Sequence, residues 1–226
     1  PDRQGKHPEL HLRSFRGVLQ ADAFAGYDRL FSTSREGGVL TEAACWAHAR
    51  RKIHDVYISS QSATAEEALK RIGELYAIEA EIRGMPETER LAARQSRSAP
   101  LLASLHEWMV EKSATLSKKS RLGEAFTYAL NQWDALCYYC RDGLAEPDNN
   151  AAERALRAVC LGKKNYIFFG SDHGGERGAL LYGLIGTCRL NGIDPEAYLR
   201  HILSVLPEWP SNRVGELLPW NVAIPA

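Results

Sequence analysis

The clearest hydrophobic pattern lies in the middle of the chain, over residues 58–141. This region is rich in Ala, Glu, Leu, Arg and Lys, and its apolar residues recur at helical spacing. Two sets show this spacing: Leu69, Ile72, Leu75, Tyr76 and Ile82, and then Leu101, Leu105, Trp108 and Met109. We predict a group of antiparallel helices whose apolar stripes pack into a core or a hairpin and do not form a cofactor site.

Residues 17–57 have a different pattern, in which strand-like segments alternate with helical ones. Residues 17–22 predict a short strand that ends in an acidic residue, and residues 23–31 predict a helix or turn. A second strand is predicted over 39–45, followed by a basic helix over 46–57. This alternation is typical of an α/β core.

The region after residue 145 again mixes element types. A helix that starts near Pro147 and carries Glu153 is predicted to run to about residue 161. The aromatic segment 166–169 predicts a short strand, and residues 170–178 predict a glycine-rich loop.

Two more helices and a proline-rich tail are predicted for the rest of the chain. The helices cover about 179–190 and 196–206, with Asp194 and Pro195 at the start of the second. The tail from residue 207 is expected to be extended and held against the body of the protein by Trp209 and Trp220.

Composition narrows the class of protein. The 226 residues carry no net charge, so any nucleic-acid binding must come from local basic patches. The odd number of cysteines argues against a disulfide framework and fits a reducing cytoplasm; they are Cys45, Cys137, Cys140, Cys160 and Cys188. No signal segment or apolar run of membrane-spanning length occurs, which predicts a cytoplasmic protein. The polar opening at Pro1, without Met, indicates a piece of a longer protein.

The helix that carries Glu153 is the first candidate for chemistry. Its sequence over residues 146–157 is E-P-D-N-N-A-A-E-R-A-L-R, and cations follow the glutamate at Arg154, Arg157, Lys163 and Lys164. A carboxylate beside cations suits a metal-dependent enzyme that acts on phosphates. The same residues match a capping box, in which Asn150 caps the helix and Glu153 bonds back to the backbone. Both interpretations stay open at this point.

Asp22 is the second candidate, because α/β folds commonly place functional side chains at strand ends. Together with a carboxylate on a later helix, it could bind Mg²⁺ or Mn²⁺, which prefer oxygen ligands. The alternative is an acid that caps the next helix.

Cysteine and histidine spacings give weaker signals. Cys45 and His48 form C-x-x-H, but no second pair stands nearby to complete a zinc site. Cys137 and Cys140 have C-x-x-C spacing in a helical context, which favours buried structural cysteines.

Polar and basic residues suggest where DNA could bind. Residues 171–177 contain glycines but lack the lysine pattern of a phosphate-binding P-loop. Candidate contacts to the nucleic-acid backbone are Arg50, Arg51, Arg157, Lys163 and Lys164. For the two lysines, a solvated helix end is the alternative.

Four motifs occur in an order that resembles one family of bacterial mobile-element proteins. They are L-Q-A-D-A-F-A-G-Y at 19–27, A-A-C-W-A-H-A-R-R-K at 43–52, D-N-N-A-A-E-R-A-L-R at 148–157 and F-G-S-D-H-G-G-E at 169–176. Together with L-L-P-W-N at 217–221, they resemble the transposases of the insertion-sequence 66 family. The combination is specific, whereas each motif alone would be weak.

The resemblance implies a DDE transposase with a ribonuclease-H-like core, in which two aspartates and a glutamate hold the metal ions. By position, Asp22 resembles the second aspartate and Glu153 the glutamate, while Cys45 and His48 resemble a C-x-x-H signature with a structural or site-supporting part. The implied divisions are an incomplete α/β core, a helical insertion, a return to the core with the Glu153 helix, and a C-terminal element, over residues 1–57, 58–141, 142–206 and 207–226.

The resemblance also implies a first aspartate on a strand upstream of Asp22. Asp2 lies in a polar segment without strand character and is a poor candidate. We therefore expect the whole protein to cut and join DNA ends with Mg²⁺ or Mn²⁺, as a homo-oligomer with accessory proteins as possible partners, and this chain alone to be inactive. The alternatives are a non-enzymatic DNA-binding or assembly remnant and a ribonuclease-H-like nuclease.

Overall fold

A computed structural model describes residues 4–224, which form two compact units. The first unit covers Asp2–Ala151 and the second covers Ala152–Ala226. Asp2 itself lies outside the described residues. Across the described chain, no helix combines the length and apolarity needed to cross a membrane.

The first unit contains two short strands and a series of helices. The strands are β1 (Val18–Gln20) and β2 (Thr41–Ala43). The α-helices are α1 (Lys6–His11), α2 (Trp46–Ser60), α3 (Ala63–Glu81), α4 (Glu87–Ala93), α5 (Ala99–Thr115), α6 (Arg121–Asn131) and α7 (Trp133–Leu136). Two 3₁₀ helices cover Ala25–Phe31 and Tyr138–Cys140.

β1 and β2 pair in parallel, with Leu19 opposite Glu42, and they are the only strands within residues 4–224. Both predicted strands therefore exist, although each is shorter than its sequence pattern. The fold is mostly helical with this small parallel sheet, so the predicted α/β character is present only in part. The ribonuclease-H-like core remains a prediction.

The core of the first unit is made by helices. α2, α3, α5 and α6 bury one continuous cluster whose fully enclosed side chains include Trp46, Ile53, Ile72, Leu105 and Phe126. The predicted helical stripes of residues 58–141 are confirmed, because all the apolar residues that define them except Ile82 belong to this cluster or pack against it, and Ile82 is buried as well. The basic helix predicted at 46–57 is confirmed as α2, which also contributes to the same core.

A π-helical segment, Arg94–Ser98, joins α4 to α5. Single π turns inside α-helices shift the side chains that follow and often occur at functional sites. Here the segment buries the side chains of Arg94 and Ser98 completely. A charged side chain therefore enters the core of the first unit.

The second unit contains most of α8 (Asn150–Tyr166), with α9 (Asp172–Leu190) and α10 (Pro195–Val205). The strand predicted at 166–169 is wrong: Tyr166 ends α8, and Ile167 adopts a left-handed φ of 64°. The described chain offers this aromatic segment no partner strand, and a strand needs one to satisfy its backbone. The loop predicted at 170–178 is also wrong, because α9 starts at Asp172, where Ser171 Oγ accepts the Gly174 N–H at 3.1 Å.

The C-terminal helix starts where the sequence predicts. Asp194 caps α10 by accepting the Ala197 N–H at 2.8 Å, and Pro195 is its first residue. The tail is not extended but forms 3₁₀ helices at Leu206–Glu208 and Ser211–Leu217. It is held by buried Leu217, whose carbonyl accepts a hydrogen bond from Tyr198 Oη at 2.8 Å. Trp220 is 59% exposed, so the prediction that it anchors the tail is wrong.

Candidate functional site

Asp22 follows β1 at the edge where the parallel pair ends. The N–H of Ala21 donates to Ala43 O at 2.9 Å, so the strand pairing continues up to the residue before Asp22. The next 3₁₀ helix has Phe24 as its N-cap, without a side-chain capping bond. Asp22 therefore does not cap that helix, and the structural alternative for this residue is wrong.

The backbone beside Asp22 is strained and held in place. Ala23 has a φ of 58°, a left-handed conformation that costs a non-glycine residue about 1–2 kcal/mol. Tyr128 Oη donates to the Asp22 carbonyl at 3.2 Å. Burial first, and then electrostatic interactions with Cys45, Asp22 and Glu42, raise the pKa of Tyr128 to about 12, so the phenol keeps its proton. This hydrogen bond helps to fix the turn that presents Asp22.

The Asp22 carboxylate is half-buried and makes neither a hydrogen bond nor a salt bridge with any of residues 4–224. Its oxygens are thus available to a ligand, and carboxylate oxygens suit Mg²⁺ or Mn²⁺. Over the described residues, no group of three or more His, Cys, Asp or Glu side chains is arranged to hold a metal. The role of Asp22 as a metal ligand stays a prediction.

The segment before α8, which we call the lead-in segment (residues 139–149), is bound from several sides. Gln20 Nε2 at the end of β1 donates to the Glu146 carbonyl at 2.6 Å. The backbone N–H of Trp46, at the start of α2, donates to the Pro147 carbonyl at 2.9 Å. The sheet and α2 therefore both hold the chain that leads to the Glu153 helix.

Arg94 holds the earlier half of the lead-in segment from inside the core. Its Nη1 lies within hydrogen-bonding distance, 2.8–3.4 Å, of four backbone carbonyls, those of Tyr139, Asp142, Gly143 and Ala145. Its Nε and Nη2 bind the two carboxylate oxygens of Glu79 at 2.8 and 2.7 Å. A bidentate pair of this kind fixes the guanidinium plane, and thereby the loop that it contacts.

The later half of the lead-in segment is bound through side chains. Tyr76 Oη donates to Asp148 Oδ2 at 3.1 Å, and Asp148 Oδ1 accepts the Asn150 N–H at 3.1 Å. Burial, followed by the Asp148 charge, raises the pKa of Tyr76 far above its usual range, so this phenol remains a donor. Cys45 Sγ contacts Asn149 at both its side chain and its backbone.

Glu153 lies in the first turn of α8 and is half-buried. Asn150 is the first residue of this helix, and the capping bond at the helix start comes from Asp148. The capping-box interpretation of Asn150 and Glu153 stays a prediction. Since the boundary between the two units falls between Ala151 and Ala152, Glu153 belongs to the second unit and Asp22 to the first.

The five cysteines are free, as their odd number predicts. Burial raises the pKa of Cys137 to about 12 and that of Cys140 to about 11, which keeps both thiols protonated and unreactive. This supports the interpretation of the C-x-x-C pair as structural. Cys45 is fully buried and His48 half-buried, both at the start of α2.

The side chains proposed to contact DNA are all exposed. Arg50 and Arg51 lie on α2, while Arg157, Lys163 and Lys164 lie on α8. Within the described residues none of these five cations forms a salt bridge, so their charge is not neutralised by an acidic side chain of the chain.

The sequence did not predict three residues that hold the lead-in segment. They are Arg94, its partner Glu79, and Tyr76, which was predicted only as an apolar core residue and not as a hydrogen-bond donor. A signal for Arg94 exists in the sequence: Arg94, Ser98, Leu102 and Leu105 share helical spacing, which places a cation on an apolar face. Its partner Glu79 has the same signal, because Ile72, Leu75, Glu79 and Ile82 also share helical spacing.

Comparison with known proteins places this arrangement in a family. The chain matches the model for the transposase IS66 family over residues 1–177 and the model for the IS66 C-terminal element over residues 183–220. The first match includes Asp22, Cys45, His48 and Glu153.

Individual relatives match nearly all or part of this chain. Uncharacterized protein y4hP of Sinorhizobium fredii is 40% identical over 232 residues, which cover 97% of this chain and 42% of that protein. Uncharacterized protein y4qI of the same organism is 37% identical over 215 residues, covering 93% of this chain and 40% of that protein. Uncharacterized protein YuaK of Escherichia coli is 41% identical over 58 residues, covering 26% of this chain and 62% of that protein.

This chain spans about two fifths of the length of the two Sinorhizobium relatives. No solved structure matches it with statistical significance. Since the family models match nearly its whole length, the chain belongs to the IS66 transposase family.

Proposed function

We propose that the whole protein is a DDE transposase that cuts and joins the DNA ends of a mobile element by metal-dependent phosphoryl transfer. The observation that carries this proposal is the family match over residues 1–177, which includes an acid at the end of a parallel strand with its oxygens unengaged. Family membership supports the reaction class, and the position of Asp22 supports a role for that carboxylate.

In this proposal, Asp22 and Glu153 are two of the acidic ligands for Mg²⁺ or Mn²⁺. Bound ions of this kind activate an attacking oxygen and stabilise the leaving oxygen in an in-line displacement. Asp22 holds its carboxylate at the strand end by means of the Ala21–Ala43 pairing and the Tyr128 hydrogen bond. The reaction has two steps. Water first attacks a phosphodiester at the element end and releases a DNA 3′-hydroxyl, and this hydroxyl then attacks a phosphodiester of the target DNA.

The exposed cations are proposed to bind the DNA backbone. Arg50, Arg51, Arg157, Lys163 and Lys164 can each displace a counterion from a phosphate, so binding should weaken as salt rises. We also propose that the protein works in the cytoplasm as a homo-oligomer, and that proteins encoded by the same element assist it.

The decisive experiment measures strand transfer by the whole protein with Asp22→Asn or Glu153→Gln. Loss of an outer-shell partner of a metal ligand already costs about 10–100-fold, so loss of a ligand itself should cost at least about 100-fold in rate. Asp28→Asn and Glu196→Gln are matched controls, because both are exposed acids in the first turn of a helix. They should keep the wild-type rate.

An unchanged rate of strand transfer by Glu153→Gln would show that Glu153 is not a metal ligand. Cleavage of DNA ends without joining would instead identify a ribonuclease-H-like nuclease. Salt-sensitive DNA binding with neither reaction would identify a binding or assembly module.

A further inference from the structure

Cys45 and Asn149 bind each other twice, although 104 residues separate them. The Cys45 thiol donates to Asn149 Oδ1 at 3.0 Å, and the Asn149 N–H donates to Cys45 Sγ at 3.4 Å. Two contacts to one sulfur define both the backbone position and the side-chain direction of Asn149. Asn149 is the residue immediately before α8.

The protonation state of Cys45 matches this arrangement. Burial raises the pKa of the thiol above its usual value, outweighing the opposite effect of nearby backbone N–H groups. A neutral thiol has a proton to donate, and the amide oxygen of Asn149 can only accept one.

Neighbouring contacts hold the residues on either side of this pair. The Pro147 carbonyl accepts the Trp46 N–H, and the Asp148 carboxylate joins Tyr76 of α3 to the Asn150 N–H. Three consecutive residues, 147–149, are therefore bound to α2 and α3. The backbone from which α8 starts is fixed, and Glu153 follows within one turn.

We propose that Cys45, the first residue of the C-x-x-H motif, is a positioning residue that sets the start of the Glu153 helix through its paired contacts with Asn149. This inference rests on the proposed function of Glu153 as a metal ligand. The thiol is buried and makes two hydrogen bonds with Asn149, which does not suit a nucleophile that must reach DNA.

The test compares Cys45→Ala, Cys45→Ser and Cys137→Ala in the whole protein. Strand transfer of pre-cleaved element ends gives kcat, and a separate titration gives the Kd for those ends. Cys137→Ala is the matched control, because it removes another thiol that packs against the core of the first unit, outside the lead-in segment.

Misplacing a reacting group by about 1 Å can cost about 100-fold, so we expect kcat of Cys45→Ala to fall about 10–100-fold with Kd unchanged. Cys45→Ser retains a donor and should recover most of the rate. Cys137→Ala should behave as wild type. Hydrogen exchange at the Asn149 amide should accelerate in Cys45→Ala alone.

Asn149→Ala tests the contact from its other side, and serves if Cys45→Ala does not fold. The Cys45→Ala/Asn149→Ala double variant should be no slower than either single variant, because both remove one interaction. Wild-type kcat in Cys45→Ala, an equal loss in Cys137→Ala, or no recovery in Cys45→Ser would overturn the proposal.

Failure of the proposed function is recognisable separately. If wild type joins no DNA ends with Mg²⁺ or Mn²⁺, the transposase proposal fails, and with it the catalytic consequence of Cys45. Exchange at Asn149 in the same variants then decides whether the thiol holds the helix start.

Discussion

The first unit buries its apolar helix faces, whereas the second unit leaves most of them exposed. α2, α3, α5 and α6 share one continuous core in which Phe126 and Ile53 are completely enclosed. By contrast, α8 has no buried residue, and Cys188 is the only buried residue of α9. Large apolar side chains of the second unit remain open to solvent, among them Leu156, Ile167, Phe168, Leu180 and Leu190.

This difference shows that an amphipathic pattern predicts a helix but does not determine which other surface packs against the apolar face of that helix. The helices of the first unit cover one another because short connections bring their apolar stripes together. An exposed apolar surface of several side chains is unusual for an isolated soluble unit. Stability in this chain should therefore depend on residues of the first unit far more than on those of the second.

The largest expected difference in stability is between substitutions of two phenylalanines. Phe126→Ala removes a fully buried ring from the core and should lower the opening free energy of α6 by about 3–5 kcal/mol. Phe168→Ala removes a ring that is 67% exposed and should change stability by less than about 0.5 kcal/mol. Hydrogen exchange resolved by segment measures both values. Equal losses would show that the second unit has a core of its own at Phe168.

The next largest expected difference in stability is between substitutions of two arginines of the same helical run. Arg94→Ala leaves Glu79 buried without its bidentate partner and should destabilise the first unit by about 3–5 kcal/mol. Arg97 forms an exposed pair with Glu81 at 2.7 Å, and Arg97→Ala should produce no measurable change.

Denaturant unfolding followed by tryptophan fluorescence measures the two arginine variants side by side. Amide exchange over residues 139–149 should accelerate only in Arg94→Ala. A stable Arg94→Ala variant with a protected lead-in segment would contradict the structural role of this buried pair.

A smaller effect separates two tyrosines that bind aspartates. Tyr76→Phe removes the hydrogen bond to Asp148 at the start of α8 and should cost about 1.5 kcal/mol, as expected for a bond to a charged group. Tyr138→Phe removes a bond of 3.3 Å to Asp142 near the surface and should cost less. Local exchange at Asn150 reports the first loss, and a reversed order of the two effects would show that burial does not decide their strength.

The sequence predicted the helices of the first unit well, because Ile72, Leu75 and Leu105 recur at the period of a helix. Asp194 and Pro195 also marked the start of α10 correctly, since capping depends only on neighbouring residues. Residues 166–169 misled the prediction, because aromatic residues favour strands only where a partner strand exists.

The candidate site residues were predictable from the sequence, but the residues that hold them in place were not. Asp22, Cys45 and Glu153 stand out through local motifs and the resemblance that those motifs carry. The pairing of Cys45 with Asn149 joins residues distant in the chain, as does the binding of the lead-in segment by Arg94. Such partners have no local signature.

The sequence by itself determined the helical stripes, the capping residues and the membership of the IS66 transposase family, since all three depend on residue order and short spacings. Only the tertiary structure decided which stripes are buried, which carbonyls Arg94 binds and which residue the Cys45 thiol holds. The physical reason is that burial and hydrogen-bond satisfaction depend on which segments meet in space.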